Sequence, residues 1–271
     1  MTSIGSLLAG SVLPRAEARL LLASVLGVPI ETLIARPERT VDDEAAARFA
    51  ELSSRRARGE PIAYLLGEKE FYGRRFAVSP AVLVPRPETE LLVQLALLRL
   101  QGLLAPRVLD LGTGSGCIAI TLALECPVAT VLAVDRSAGA LDVARTNAER
   151  LGARVAFLRG DWYESIGGRF DLIVANPPYV ADADPHLHDL QHEPQQALVA
   201  GPDGLDDLRR IILGAPAHLK PGRWLAVEHG HDQGANVHQL FASAGFDAIE
   251  THRDLAGVER ACIGVLPRTP V

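Results

Sequence analysis

The sequence predicts an α/β fold, with a largely parallel sheet flanked by helices and a small helical segment ahead of it. Three observations carry that expectation. From Glu88 onward, short apolar runs alternate with helical patterns, the arrangement that builds parallel sheets. One run, Val108-Leu109-Asp110-Leu111, passes into Gly112-Thr113-Gly114-Ser115-Gly116 and then a helix. Another, Phe170-Asp171-Leu172-Ile173-Val174-Ala175, is short and almost wholly apolar, as a buried strand is, and ends in Asn176-Pro177-Pro178-Tyr179.

Residues 1 to about 66 read as helical. Pro14 can open a helix carrying Leu20, Leu21, Leu22 and Leu26, with Gly27 just past its end. Thr40, with Asp43 three residues on, resembles a capping arrangement for a helix running to about Arg58. Residues 67–84 alternate and contain Gly73 and Pro80, which predicts a hairpin joining two domains. Helices are expected over 88–101, 116–125, 137–151, 204–219 and 233–244. Strands are expected over Ala129–Val134 and Arg154–Leu158, and near 246–251 and 258–266. The last two lack an intervening helix and are expected to pair as a hairpin. The domain division is then 1–66, a linker at 67–87, and 88–271. A chain of 271 residues suits one large domain and a small one.

Bulk properties narrow the function. Hydrophobic residues make up 48% of the chain, enough for a sizeable core, and the net charge is −6. Basic tracts with interleaved aromatics are lacking, which disfavours a free-standing nucleic-acid-binding role. Arg55, Arg56 and Arg58 form a short basic cluster that suits a solvated helix end or a contact with an acidic partner. Cys117, Cys126 and Cys262 show no Cys-x-x-Cys spacing, so neither a disulfide framework nor a metal site is expected, and a reducing cytoplasm is the default. The His-x-His at 186 and 188 reads as a polar loop. No charged leader precedes an apolar core at the N-terminus, and no apolar run reaches membrane-spanning length.

The motifs specify chemistry. Glycines at 112, 114 and 116 permit a tight turn and close backbone approach to a ligand, and the helix N-terminus behind them favours a negative group. That loop alone could serve a dinucleotide, although its spacing departs from Gly-x-Gly-x-x-Gly. Asp135, ending the next strand, can accept both hydroxyls of a ribose. Asp161 and Trp162, after the third strand, suit an adenine amine and ring; they could equally be a solvated acid and a rim packing residue. In Asn176-Pro177-Pro178-Tyr179 the prolines hold the backbone extended and remove two N–H donors, leaving carbonyls free to accept. The Asn176 side-chain oxygen adds an acceptor and Tyr179 a flat face. Together they suit a planar group bearing an NH2, either an amide or a nucleobase amine.

In these motifs the chain resembles the class I S-adenosylmethionine-dependent methyltransferases, and more narrowly the bacterial release factor glutamine methyltransferases. The narrower resemblance rests on Phe71-Tyr72-Gly73 with Phe76 and Val78, and on Val82 through Glu90. It rests also on Glu193-Pro194, on Gly201-Pro202-Asp203-Gly204-Leu205, on Glu228-His229-Gly230, and on Asp254-Leu255-Ala256-Gly257 with Glu259-Arg260. Pro202 stands where the family usually has glycine. The resemblance implies a Rossmann-like, mostly parallel seven-stranded sheet whose last strand is antiparallel, joined through a β-hairpin to a helical substrate-docking domain. It implies a monomeric enzyme without metal that uses S-adenosylmethionine, releases S-adenosylhomocysteine, and methylates the side-chain nitrogen of the glutamine in the Gly-Gly-Gln loop of class 1 peptide chain release factors. Gly112, Thr113, Gly114, Ser115, Gly116, Asp135, Asp161, Trp162 and Asn176 would meet the cofactor. Asn176, Pro177, Pro178 and Tyr179 would meet the substrate. The competing readings are glutamine methylation of a ribosomal protein, methylation of an adenine or cytosine amine, and a non-enzymatic nucleotide-binding module.

Overall fold

A computed structural model describes residues 2–164 and 166–268, so the outermost ends of the two expected domains, at Met1 and residues 269–271, lie outside the described residues. The chain folds as two compact units divided between Glu68 and Lys69. In the first, β1 (Thr2–Ser3), α1 (Ile4–Ala9), α2 (Arg15–Leu26), α3 (Ile30–Ala35), β2 (Thr40–Val41), α4 (Asp43–Ala57) and α5 (Ile62–Leu66) surround a core of Ile4, Leu21, Leu22, Leu33, Phe49 and Leu52. Pro14 precedes α2 and Gly27 ends it in the left-handed conformation, as the sequence predicts. The cap of α4 differs from expectation. Thr40 is drawn into an antiparallel pair with Ser3, and Asp42 caps the helix instead, accepting the Ala45 amide at 2.7 Å. The arginine cluster also departs from a bare solvated end, because Arg55 pairs with Glu60 and Arg56 with Glu17 inside this unit.

The second unit begins with a hairpin, β3 (Glu68–Phe71) and β4 (Arg74–Ala77), turned by Tyr72 and Gly73. Both have positive φ, 52° and 73°, the conformation a two-residue hairpin turn requires. The paired strands stop at Ala77, short of the predicted 84. The stretch that follows turns at Pro80 and Ala81, where the Val82 amide donates to the Ser79 carbonyl at 3.1 Å, and then runs on to a 3-10 turn at Pro87–Thr89. Phe71 and Phe76 meet edge to face, 6.0 Å apart, within the main core.

Beyond the turn come α6 (Glu90–Leu100), β5 (Arg107–Leu111), α7 (Cys117–Glu125), β6 (Thr130–Asp135), α8 (Ala138–Leu151), β7 (Val155–Arg159), β8 (Phe170–Ala175), α9 (Asp206–His218), β9 (Leu219–Glu228), α10 (Gly234–Ser243), β10 (Asp247–Arg253) and β11 (Glu259–Val265). The sheet order is β10-β11-β9-β8-β5-β6-β7. Strands β9, β8, β5, β6 and β7 are parallel, and β11 is antiparallel to both its neighbours. The fold is therefore the mostly parallel seven-stranded sheet that the sequence implies.

Strand periodicity divides the core. Leu172 and Val174 of β8 pack with α6 and α7, while Ile173 and Ala175 pack with α9 and α10. All six residues of β8 are buried. Its one acid, Asp171, accepts the Arg107 amide and pairs with Lys220 and Arg223. The chain leaves β5 toward β6 and β7, then returns to the other side for β8 and β9. That reversal opens a crevice beyond the carboxyl ends of β5 and β8.

Candidate active site

A cleft of about 890 Å³, part of it open to solvent, occupies this crevice. Its floor is the glycine loop. Gly114, at φ 56°, has nothing within 4 Å of where a β-carbon would stand, so ligand can come against its backbone. Gly116 does not reach the cleft. It caps α7, and a β-carbon there would sit 2.8 Å from Ile120. Thr113 and Ser115 line the floor, with the Thr113 hydroxyl donating to Asp110 at 2.6 Å. Burial pushes the Asp110 carboxyl up to about 7, against the pull of Thr113 and the Ala119 amide.

Asp135 ends β6 at the cleft wall. It takes the Gly114 amide on one oxygen and the Ser137 amide on the other, at 2.9 and 2.8 Å. Each carboxylate oxygen has more than one acceptor site, so both can still receive a hydroxyl. Burial raises the Asp135 pKa, and the Ser137 and Gly114 amides offset part of that.

Asp161 and Trp162 both line the cleft, held by partners on α9 that the sequence reading did not find. Arg210 pairs with Asp161 at 2.7 Å, and the Trp162 indole N–H donates to Asp207 at 3.0 Å. The indole nitrogen is thus committed, and what Trp162 offers a ligand is its ring. That ring packs over Gly112, where a β-carbon would stand 3.1 Å away.

The four motif residues separate. Asn176 and Pro178 line the cleft, whereas Pro177 and Tyr179 do not. Asn176 donates its Nδ2 to Thr89 Oγ1 at 3.1 Å, which leaves Oδ1 as an acceptor without a partner among the described residues. The Pro177 carbonyl likewise receives no backbone or side-chain donor among them. Tyr179 packs its ring beside the α9–α10 core and directs its hydroxyl to Glu228 Oε1 at 3.3 Å. Burial pushes the Glu228 carboxyl up to about 7, while Thr89 and Tyr179 hydrogen bonds and the charge of Arg260 pull it down. Burial raises the Tyr179 phenol above its usual range as well.

The residues after the motif fix its exit. Val180 bridges to Val199, and Gln233 Nε2 donates to the Tyr179 carbonyl at 3.0 Å. Glu193, buried behind the cleft wall, holds two of its lining residues, accepting the Val84 amide at 3.0 Å and pairing with Arg86. Asn147 of α8 is a further residue without a local signal in the sequence. Fully buried, it bonds both backbone groups of Ala77 and the Ser115 carbonyl, tying the hairpin to the glycine loop.

The arrangement can hold an elongated ligand with a hydroxylated middle and a planar ring, and presents Asn176 Oδ1 as an acceptor at the cleft wall. His186 lies in a short 3-10 turn and bonds Asp184. Among the described residues no group of three or more His, Cys, Asp or Glu could hold a metal ion, and no helix is long and apolar enough to cross a membrane.

Comparison with known proteins gives a consistent picture. Residues 88–201 match the family model described as Methyltransferase small domain, and residues 4–67 match the PrmC N-terminal domain. A release factor glutamine methyltransferase of Bordetella pertussis is 52% identical over 270 residues, covering 98% of this chain and all of that protein. The counterpart from Burkholderia pseudomallei is 49% identical, with 96% of this chain and 95% of that one covered. Among solved structures, a methyltransferase from Pyrococcus furiosus superimposes with a TM-score of 0.54 at 18% identity, over 83% of this chain and 100% of that one.

Proposed function

The chain belongs to the release factor glutamine methyltransferases, and from that membership we propose which of its residues perform the family's reaction. The enzyme transfers a methyl group from S-adenosylmethionine to a glutamine side chain of a release factor. S-adenosylmethionine supplies a methyl already activated by its sulfonium charge. The cleft suits it: Gly114 leaves backbone space, Asp135 keeps acceptor sites for two hydroxyls, and the Trp162 ring is a flat wall. In this reading Gly112, Thr113, Gly114, Ser115, Asp135, Asp161, Trp162 and Asn176 bind the cofactor directly, and Gly116 acts through the turn it allows. S-adenosylhomocysteine leaves by the same cleft.

The observation that carries the catalytic reading is the polarity of Asn176. With Nδ2 held by Thr89, Oδ1 faces the substrate as an acceptor, and the Pro177 carbonyl stands beside it in sequence as a second. An amide nitrogen is a poor nucleophile because its lone pair is delocalised. Two acceptors that take its hydrogens orient that nitrogen and stabilise the positive charge it develops. Positioning of this kind supplies roughly 7–11 kcal/mol of barrier reduction. Pro178 stiffens the turn, and Tyr179 supports it from the core. The N-methylated, protonated amide is acidic enough to lose its proton to water, so no general base is required.

The target is the glutamine of the Gly-Gly-Gln loop in class 1 release factors. Glycines beside it allow deep entry at little steric cost, and affinity then comes from surface elsewhere. Residues 1–66 supply that docking surface, 67–87 the hairpin link, and 88–271 the methyltransferase domain. The net charge of −6 supports a protein partner over nucleic acid, and the enzyme acts as a monomer in the cytoplasm. Intact-mass analysis tests the whole reading. A release factor incubated with enzyme and S-adenosylmethionine gains one methyl on its Gly-Gly-Gln peptide. Methylation of a ribosomal protein with none on the release factor would overturn the substrate.

A further inference from the structure

We infer that Glu228 is a positioning residue that sets the direction of a hydrogen-bond chain running from Asn176 through Thr89, and so decides that Asn176 presents an oxygen to the substrate. The inference rests on the assignment of Asn176 as the residue that accepts the substrate amide. Glu228 ends β9, one position beyond Val227, which pairs with Ala175 just before Asn176. Its carboxylate accepts the Tyr179 hydroxyl at 3.3 Å, and the Thr89 hydroxyl lies near enough to favour its ionised form. Thr89 Oγ1 in turn accepts from Asn176 Nδ2. A hydroxyl has one hydrogen. While Thr89 spends it on Glu228, only a lone pair is left for Asn176, and the asparagine must turn its NH2 inward and its oxygen to the cleft. Without the carboxylate, the Thr89 hydroxyl is free to donate to the asparagine oxygen. The side chain then reverses and offers NH2 groups against the N–H groups of the incoming amide.

Several features support a role beyond packing. Glu228 is buried, and its Oε2 has no partner among the described residues, an arrangement that costs stability. Arg260 of β11 favours its ionised form, and Glu88, beside Thr89, opposes it. The Cys117 thiol of α7 also feels its charge, and Arg86 acts on its partner Tyr179. With burial holding the carboxyl near 7, the chain gains its working direction as pH rises through neutrality. Asp110 titrates in the same range on the cofactor side, so the two must be separated by substitution.

The test measures kcat and KM for whole release factor at saturating S-adenosylmethionine, with calorimetric cofactor affinity, in Glu228→Leu, Glu228→Gln, Thr89→Val, Thr89→Ser and Asn176→Ala. Glu228→Leu and Thr89→Val should each lose kcat by about tenfold or more, the cost of misdirecting one hydrogen bond. KM and cofactor affinity should change little, and the double variant should be no worse than either single one, as members of one chain behave. Thr89→Ser should restore most of what Thr89→Val loses. Glu228→Gln should flatten the rise of kcat through about pH 7. Multiplicative losses in the double variant, or a Thr89→Val enzyme with unchanged kcat, would overturn the inference even if Glu228→Leu did not fold. A fully active Asn176→Ala would instead remove the catalytic assignment on which it stands. Inactive Asn176→Ala beside fully active Glu228→Leu would sink this inference alone.

Discussion

Gly204 lies so close beneath Tyr179 that a β-carbon on it would stand 2.3 Å from the Tyr179 carbonyl oxygen. Its φ of 70° already favours glycine. Gly204→Ala must therefore push the motif's last residue away from Gln233, which bonds that same carbonyl. Gly152 has a matching φ of 70° and open space around it. Gly152→Ala should cost only the backbone strain, roughly 1–2 kcal/mol. Gly204→Ala should cost more and also lower kcat. Thermal unfolding and turnover of the pair check this; equal effects would mean the contact with Tyr179 is unimportant.

Asp135→Ala should weaken S-adenosylmethionine binding by about 1–3 kcal/mol, the range for polar partners left unpaired. The variant also frees the Gly114 and Ser137 amides, so the glycine loop itself loosens. Calorimetry is the measurement. An unchanged affinity would take Asp135 out of the ribose role.

Asn176→Ala should fold, still bind cofactor, and lose turnover on the order of a hundredfold, the usual effect of deleting one preorganised group at a site of developing charge. Asn176→Asp keeps an acceptor but cannot donate to Thr89, and it adds a charge; it should be no better. Single-turnover rates at saturating cofactor decide the point.

Glu228 should leave a mark on stability as well as on rate. Its folded pKa of about 7 lies above the ordinary carboxylate value of 4.5. A group raised in this way stabilises the fold fully below its unfolded pKa, and that contribution is lost as pH rises through about 7. Glu228→Gln, neutral at every pH, should therefore gain on the parent above pH 7, by on the order of 1–3 kcal/mol, and match it near pH 4. Denaturant melts at the two pH values give the comparison, and a constant difference would contradict it.

Arg56 and Glu17 are partners within the first unit, so reversing charge at Arg56 does two things at once. Arg56→Glu should lower stability by up to about 1 kcal/mol, as loss of a partly exposed pair does. If this surface docks the release factor, it should also raise KM beyond what Glu17→Ala causes. Equal KM changes in the two variants would assign the effect to the broken pair.

Most of the fold was legible because strand and helix periods differ. Five helices and six of the seven strands of the sheet lie within a residue or two of their expected ends, except that the helix expected from 88 begins as a 3-10 turn; β9, whose start carries Pro221 and Gly222, was given no expected bounds. Asn176, Asp135 and the glycine loop were legible because short motifs fix them locally. Asn147 and Asp207 were not, and Thr89, Glu193 and Glu228 stood in the motifs that carry the family resemblance without any role being assigned to them. Each acts on a residue far away in the chain, 87 positions in the case of Asn176 and Thr89, and no local pattern records such a contact. Asp42 was missed for the same reason: pairing of Thr40 with the chain's start moved the cap by two residues.

Asn147 makes the glycine loop non-portable. Its side chain holds Ala77 on one side and Ser115 on the other, so three stretches of chain share one buried amide. A designer who transplanted only the strand, the loop and α7 into another α/β scaffold would bring the glycines without the group that fixes the Ser115 carbonyl. The smallest transferable cofactor site in this protein therefore includes α8 and the hairpin, and a directed-evolution library confined to the loop would sample only part of the unit that shapes it.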